Sequence, residues 1–67
     1  MSAAKVIEII CCSPTSFDDA IKSGIAEASK TIRGIQGAWI KDKSMCIKDG
    51  KIVKYKVILK VTFEVFN

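Results

Sequence analysis

The most regular feature of the chain is an alternation of apolar and polar residues near its C-terminal end. From Val53 to Val65 every odd-numbered residue is apolar, whereas most even-numbered residues are polar, Lys56 and Lys60 among them. Since successive side chains of a strand point to opposite faces, this pattern predicts a strand with one buried and one solvated face. The strand exceeds the usual length of about five or six residues, so we expect it to pair with or pack against a neighbouring subunit.

Two further elements are predicted in the first half of the chain. Lys5 to Cys11 is apolar on both faces except at Glu8, which predicts a strand that is either central in its sheet or covered by another subunit. Ser16 followed by Asp19 is a capping pattern typical of a helix that begins near Phe17. Apolar residues then recur at helical spacing at Phe17, Ala20, Ile21, Ile25, Ala28, Ile32 and Ile35. We expect this side of the helix to pack on the sheet.

The helix pattern contains one glycine and ends at two more. Gly24 inside the pattern indicates either a close contact or simple tolerance of a weak helix former. Gly34 and Gly37 mark the exit, and a second strand is predicted from Ala38 to about Ile47.

A hairpin links the last two strands, because the pair Asp49-Gly50 is typical of a two-residue turn. The predicted order is strand, helix, strand, strand. This order describes an α+β subunit, and we expect a single domain over residues 1–67.

The same alternation sorts side chains between the two faces of the sheet. If the helix covers one face, Ala38 and Ile40 point toward it. The opposite face then receives Gly37, Trp39, Lys41, Lys43, Lys54, Lys56, Ile58 and Lys60. One indole among ammonium groups is suited to a planar aromatic ligand that carries a phosphate or a polyhydroxyl tail. The pattern also fits an ordinary solvated face, or a tryptophan buried between subunits.

Composition restricts the class of protein. A chain of 67 residues buries only about 60% of the surface that its unfolded form exposes, which favours self-association. No apolar run is long enough for a membrane span, and we expect neither a signal peptide nor a membrane partner. The three cysteines do not form an even, spaced framework, which favours a reducing, cytoplasmic setting. We expect Cys11 and Cys46 to be small apolar core residues.

Several functions are disfavoured by residues that the sequence lacks. Without histidine, a G-x-S-x-G motif or a Gly-rich phosphate loop, the chain is predicted not to be an enzyme. Without histidine or a C-x-x-C pair, we expect no metal site of the zinc type. A net charge of +4 and a lysine-rich sheet keep a basic nucleic-acid-binding module as a hypothesis. The modest charge and single exposed aromatic argue against it.

Five segments of the sequence together resemble the dodecin family. They are KVIEI at 5–9, SPTSF at 13–17 with Ala20, KTIR at 30–33, DGKI at 49–52, and the alternating Tyr55, Val57, Leu59, Val61 and Phe63. The likeness covers residues 5 to 66. It implies a β-α-β-β subunit whose three-stranded antiparallel sheet wraps around one helix, and an assembly of subunits into a hollow homododecamer. It also implies storage and photoprotection of a flavin, which stacks on tryptophan and is riboflavin, FMN or FAD.

The resemblance also gives candidate flavin-binding residues. The position at which flavin-binding dodecins place the stacking tryptophan falls on Gly37, and the indole lies two residues later at Trp39. The position of a glutamine that contacts the polar edge of the flavin falls on Lys56, which has only donors to offer. The candidate site therefore comprises Trp39, Lys56, Gly37 and Lys54, with Lys56 expected beside Trp39.

Two main hypotheses remain open at this stage. In the first, Trp39 stacks on a flavin in a shifted pose while Lys56 supplies a donor or meets a phosphate. In the second, the shell assembles without a flavin niche and has a structural role, or binds ions or another small ligand. Trp39 would then fill a subunit interface beside Lys41.

Overall fold

The computed structural model of the protein describes residues 3–65. The chain forms β1 at Ala3–Ser13, α1 at Phe17–Ser29, β2 at Ile35–Lys48 and β3 at Lys51–Val65. All three strands belong to one antiparallel sheet with the order β1-β3-β2. The predicted β-α-β-β topology is therefore confirmed. The central position that the sequence offered to β1 is wrong, because the long β3 pairs on both sides and leaves β1 at an edge.

The core lies between the helix and the two strands that it covers. Val57, Leu59 and Val61 of β3 are buried, together with Cys11 of β1 and Ala20 of α1. Around them pack the partly buried Ile7, Ile9, Phe17, Ile21, Ile25 and Ile35. The alternating apolar positions of β3 thus face the helix, as the period of two requires.

The helix begins where the capping pattern placed it and ends earlier than the apolar spacing suggested. Ser16 is the N-cap, and its hydroxyl oxygen accepts a hydrogen bond of 2.9 Å from the Asp19 amide. The helix ends at Ser29, so Ile32 lies in the following turn and Ile35 begins β2. Positive φ at Gly34, +73°, turns the chain away from the helix axis.

Gly24 is required by a close approach of the helix to β1. A Cβ atom added there would collide with the Cys11 Sγ and lie 2.8 Å from the Cys11 Cβ. Of the two explanations that the sequence offered for this glycine, the structure supports the close contact.

Irregularities in β2 change which face its residues occupy. The pairing with β3 shifts register between Ile40 and Asp42. As a result Lys43 lies opposite the buried Val57, and its Nζ is 5.0 Å from the centre of the Phe17 ring on the helix side. The prediction that Lys43 shares a face with Trp39 is therefore wrong, because a β-bulge breaks strict alternation.

Much of the sheet is left uncovered by the single helix. All of β2 after Ile35 is exposed in the isolated subunit. Between residues 3 and 65, the exposed large apolar side chains are Val6, Ile10, Trp39, Ile40, Met45, Ile47, Ile52 and Val53. For the part of the chain described, no helix has the length and apolarity needed to cross a membrane.

Candidate ligand-binding face

The candidate site lies on the face of the sheet that points away from α1, called here the open face. Residues directly opposite one another in an antiparallel pair share a face. Glu8 of β1 lies opposite Lys60 of β3, and Lys60 lies opposite Trp39 of β2. These three residues therefore form one row across the open face.

Two lysines converge on one carboxylate in this row. The Lys41 Nζ donates a 3.0 Å hydrogen bond to the Glu8 Oε1, and the Lys60 Nζ lies 3.5 Å from the Glu8 Oε2. We call Glu8, Lys41 and Lys60 the ion-pair cluster. Lys41 is the extra residue of the bulge between Ile40 and Asp42.

The electrostatics of the cluster keep Glu8 ionised. The hydrogen bond from Lys41 contributes most to holding the pKa of Glu8 below its usual value of 4.5, and the charges of Lys41 and Lys60 act in the same direction. Partial loss of water opposes them. The side chains remain 41% exposed for Glu8, 49% for Lys41 and 33% for Lys60, so a ligand can reach all three.

Among residues 3–65, Trp39 is the aromatic residue of the open face. Half of its surface, 50%, is exposed to solvent. The ring contact found among residues 3–65 is the edge-on pair of Phe17 and Tyr55, on the helix side. An exposed indole beside ammonium groups is suited to stacking on a planar ring or to packing against another subunit.

The four predicted site residues share the open face, but the structure does not bring them all together. Gly37 lies one strand repeat from Trp39, opposite Thr62. Lys56 lies opposite Ser44, and Lys54 lies opposite Cys46. Lys56 is four residues from Lys60 along β3, which corresponds to about 13 Å. Within one subunit Lys56 therefore does not lie beside Trp39, and their proximity in the oligomer stays a prediction.

Glu8 and Lys60 were missing from the predicted site. The charge alternation of β3 marked Lys60 as an open-face residue, but Glu8 belongs to the opposite end of the chain. Only the register between β1 and β3, which pairs Glu8 with Lys60, shows that the two meet. No local signal in the sequence reports that register.

Two clefts among residues 3–65 lie beside the helix, and Trp39 lines neither of them. One, of about 560 Å³, runs between β1 and α1 and is lined by Cys11, Cys12 and Gly24 among others. The other, of about 540 Å³, lies near Arg33 and Phe63. A ligand on Trp39 would therefore lie outside both of these clefts.

The cysteines divide between core and surface. Cys11 is buried, as expected, and burial raises the pKa of its thiol. Cys46 is exposed, so its predicted role in the core is wrong for the isolated subunit, because it lies on the open face opposite Lys54. Across residues 3–65, no three side chains of the histidine, cysteine, aspartate or glutamate type are grouped to hold a metal ion.

Comparison with known proteins gives concordant results in sequence and in structure. The dodecin family model matches residues 3–65. Calcium dodecin from Mycobacterium tuberculosis is 31% identical over 64 residues, which cover 96% of this chain and 90% of that protein.

Solved structures share the fold over nearly the whole chain. The dodecin from Streptomyces davaonensis superposes with a TM-score of 0.94 at 29% identity, over 98% of this chain and 97% of that one. The calcium-chelating calcium dodecin of Mycobacterium tuberculosis, described with a novel calcium-binding site, superposes with a TM-score of 0.83 at 32% identity, over 96% and 91% of the two chains.

Proposed function

Because the chain belongs to the dodecin family, we propose that it assembles into a hollow homododecamer that binds and stores a flavin on the indole of Trp39. The observation that carries this proposal is the half-exposed Trp39, in one row with Lys60 and Glu8 on the open face of the sheet. A stacked indole also quenches an excited flavin by electron transfer, so the bound pigment would be protected from photochemistry. The role is storage and not catalysis.

Gly37 stands where flavin-binding dodecins have their stacking tryptophan, and this difference is compatible with the proposal. Trp39 lies on the same face as Gly37 and about 7 Å further along β2. The indole is therefore displaced along the strand relative to the family's tryptophan, but it stays on the open face. We propose that Gly37 leaves room next to the indole for the ligand, since its place opposite Thr62 has no side chain to fill it.

Lys56 and Lys54 contribute charge in this proposal, not direct contact with a ring on Trp39 of the same subunit. Both lie further along the open face. Their ammonium groups are suited to the phosphate of FMN or FAD, or to a ligand held mainly by a neighbouring subunit. We propose a cytoplasmic location for the oligomer, which the three free thiols support.

The direct test is a fluorescence-quenching titration of riboflavin and FMN with the purified oligomer. We expect saturable quenching that Trp39→Ala weakens by roughly 5- to 150-fold in affinity, the range of about 1–3 kcal/mol for one base stacked on an aromatic side chain. Trp39→Phe keeps a ring and should retain part of the affinity. An intact oligomer that quenches neither flavin would contradict flavin storage.

A matched gain-of-function variant sharpens this test. A Cβ atom added at Gly37 meets only the Thr62 Oγ1, at 3.4 Å, so a side chain can be accommodated there. Gly37→Trp with Lys56→Gln installs the indole and the amide at the positions where flavin-binding dodecins carry them. If the double variant binds flavin and the unchanged protein does not, the shell has been retained without the flavin niche.

The second candidate function is a shell that binds ions, and the 31% identity to a calcium dodecin favours it. Within residues 3–65 of one subunit no cluster of three potential ligands exists, so a calcium site would take carboxylates from several subunits. Calcium would then raise the thermal midpoint of the oligomer, whereas magnesium at the same concentration would not. Calcium stabilisation without flavin quenching would favour this candidate.

A further inference from the structure

The ion-pair cluster presents an ordered set of hydrogen-bonding groups to the solvent. Each Glu8 carboxylate oxygen faces a different lysine, with Oε1 3.0 Å from the Lys41 Nζ and Oε2 3.5 Å from the Lys60 Nζ. The sequence of groups across the cluster is therefore donor, acceptor, donor.

The cluster has hydrogen-bonding capacity to spare. A carboxylate offers about four acceptor sites, and each ammonium group has three donors. Each of the two ion pairs uses one of the three donors of its lysine. The lowered pKa keeps Glu8 an acceptor at neutral pH, and the three side chains are partly exposed. A ligand can thus be bound without breaking either ion pair.

A cyclic imide carries the complementary pattern of acceptor, donor, acceptor, because its N–H lies between two carbonyl groups. The pyrimidine-like end of an isoalloxazine ring is such an edge. We propose that Glu8, Lys41 and Lys60 recognise the imide edge of the ring bound at Trp39, with Glu8 accepting from the imide N–H and the lysines donating to the carbonyl oxygens. This inference rests on the proposed flavin storage and names its specificity-determining residues.

The position of the cluster supports this role. Glu8 shares a row with Trp39, two strand spacings or about 10 Å away across the sheet, and Lys41 lies two residues after Trp39 on the same strand. Lys60 separates the indole from the carboxylate. Glu8 also supplies the acceptor that Lys56 lacks at the family's glutamine position.

The test compares riboflavin with N3-methylriboflavin in quenching titrations of the intact oligomer. Methylation removes the imide donor and leaves the ring system for stacking, and riboflavin has no phosphate to engage the lysines. We expect the unchanged protein to prefer riboflavin by about tenfold or more, in line with a hydrogen bond to a charged group. Glu8→Met should abolish this preference, and Glu8→Gln, which keeps a carbonyl acceptor, should retain part of it.

A second carboxylate on the open face provides the control. Glu64 lies four residues from Lys60 on β3, and its Oε2 accepts a 3.2 Å hydrogen bond from the Gln36 Nε2. Glu64→Met removes the same charge from the same face, and we expect it to keep the preference for riboflavin. Light scattering of each variant confirms that the oligomer is intact.

The outcomes separate this inference from the proposed function. Equal binding of the two flavins by the unchanged protein, or a preference that survives in Glu8→Met, overturns the role of the cluster and leaves flavin storage standing. Loss of the preference in both methionine variants assigns it to overall charge and also overturns the inference. Absence of quenching by either flavin removes the proposed function and this inference with it.

Discussion

Two single residues show how local chemistry serves the whole subunit. Gly24 lets the helix approach β1 so closely that Cys11 fills the space where a side chain would otherwise lie. Glu8, on the other side of the same strand, holds two lysines on the open face. The first residue determines how closely helix and sheet pack, and the second organises the charge next to Trp39.

The contact at Gly24 predicts that Gly24→Ala destabilises the protein. The added methyl group improves helix propensity by about 1 kcal/mol, but overpacking against the Cys11 Sγ costs about 1–3 kcal/mol, and Cys11 belongs to a core with little freedom to move. We expect a lower midpoint of chemical unfolding. Cys11→Ala in the same chain should restore part of the loss, because it removes the sulfur atom.

Gly37→Ala is the matched control for this change, since its new methyl group lies 3.4 Å from the Thr62 Oγ1. Its effect on the unfolding midpoint should be small. Equal effects of the two substitutions would show that packing against Cys11 is not the cause.

The lowered pKa of Glu8 predicts a dependence of stability on pH. A carboxyl group whose pKa is lower in the folded state stabilises the protein above its unfolded pKa, here about 4.5, and this contribution is lost as the pH falls through the folded value. The difference in unfolding midpoint between the unchanged protein and Glu8→Gln should therefore shrink below about pH 4.5. A difference that stays constant from neutral pH to about pH 3 would argue against the ion pairs as its source.

At the scale of elements, the arrangement of the sheet depends on the hairpin turn and on the bulge in β2. Asp49 and Gly50 have positive φ angles of 52° and 75°, as the tight turn between two twisted strands requires. The turn keeps β2 and β3 antiparallel, whereas the bulge moves Lys43 to the helix side, next to Phe17. The face that Lys43 occupies therefore depends on one extra residue in β2.

Replacement of Gly50 tests the conformational demand of the turn. A Cβ atom there meets nothing within 4 Å, so Gly50→Ala introduces backbone strain without a clash. We expect a loss of about 1–2 kcal/mol in the free energy of unfolding, the usual cost of a left-handed conformation for an L-residue. Asp49→Asn should be tolerated, because asparagine adopts this conformation readily. An unchanged free energy in Gly50→Ala would mean that the turn relaxes to another type.

At the scale of the whole molecule, the isolated subunit is more extended than a compact chain of its length. Its radius of gyration is 13.8 Å, whereas a compact chain of this length has about 11 Å. Its extents of 53 × 19 × 13 Å describe a sheet that projects well beyond its single helix. The exposed apolar residues lie on this projecting sheet, which is the surface that other copies of the chain would cover.

The oligomer is tested by light scattering of the purified protein, where we expect a homododecamer. Ile47 is 59% exposed on β2 and is a suitable residue to perturb. Ile47→Glu should shift the population to smaller species, because burial of an isoleucine contributes about 1.5–3 kcal/mol and a buried unpaired charge is costly. Ile47→Val and Lys48→Gln serve as controls for shape and charge. A monodisperse monomer in the unchanged protein would contradict the assembly.

The sequence predicts the secondary-structure elements better than it predicts the candidate site. The cap at Ser16, the turn at Asp49-Gly50 and the buried side of β3 were all predicted, because each is specified by neighbouring residues or by a short period. The helix end at Ser29 was missed, since Ile32 and Ile35 continue the apolar spacing although the helix has already ended.

By itself the sequence determined the elements, their order, the family and the face that Trp39 occupies. Only the tertiary structure decided that Glu8 meets Lys60 and Lys41, that Lys43 turns to Phe17, and that Lys56 lies away from Trp39. The physical reason is that strand register and bulges are selected by the packing of the whole sheet on α1. A shift of one residue in that pairing exchanges the two faces of a strand, and no local pattern in the chain specifies it.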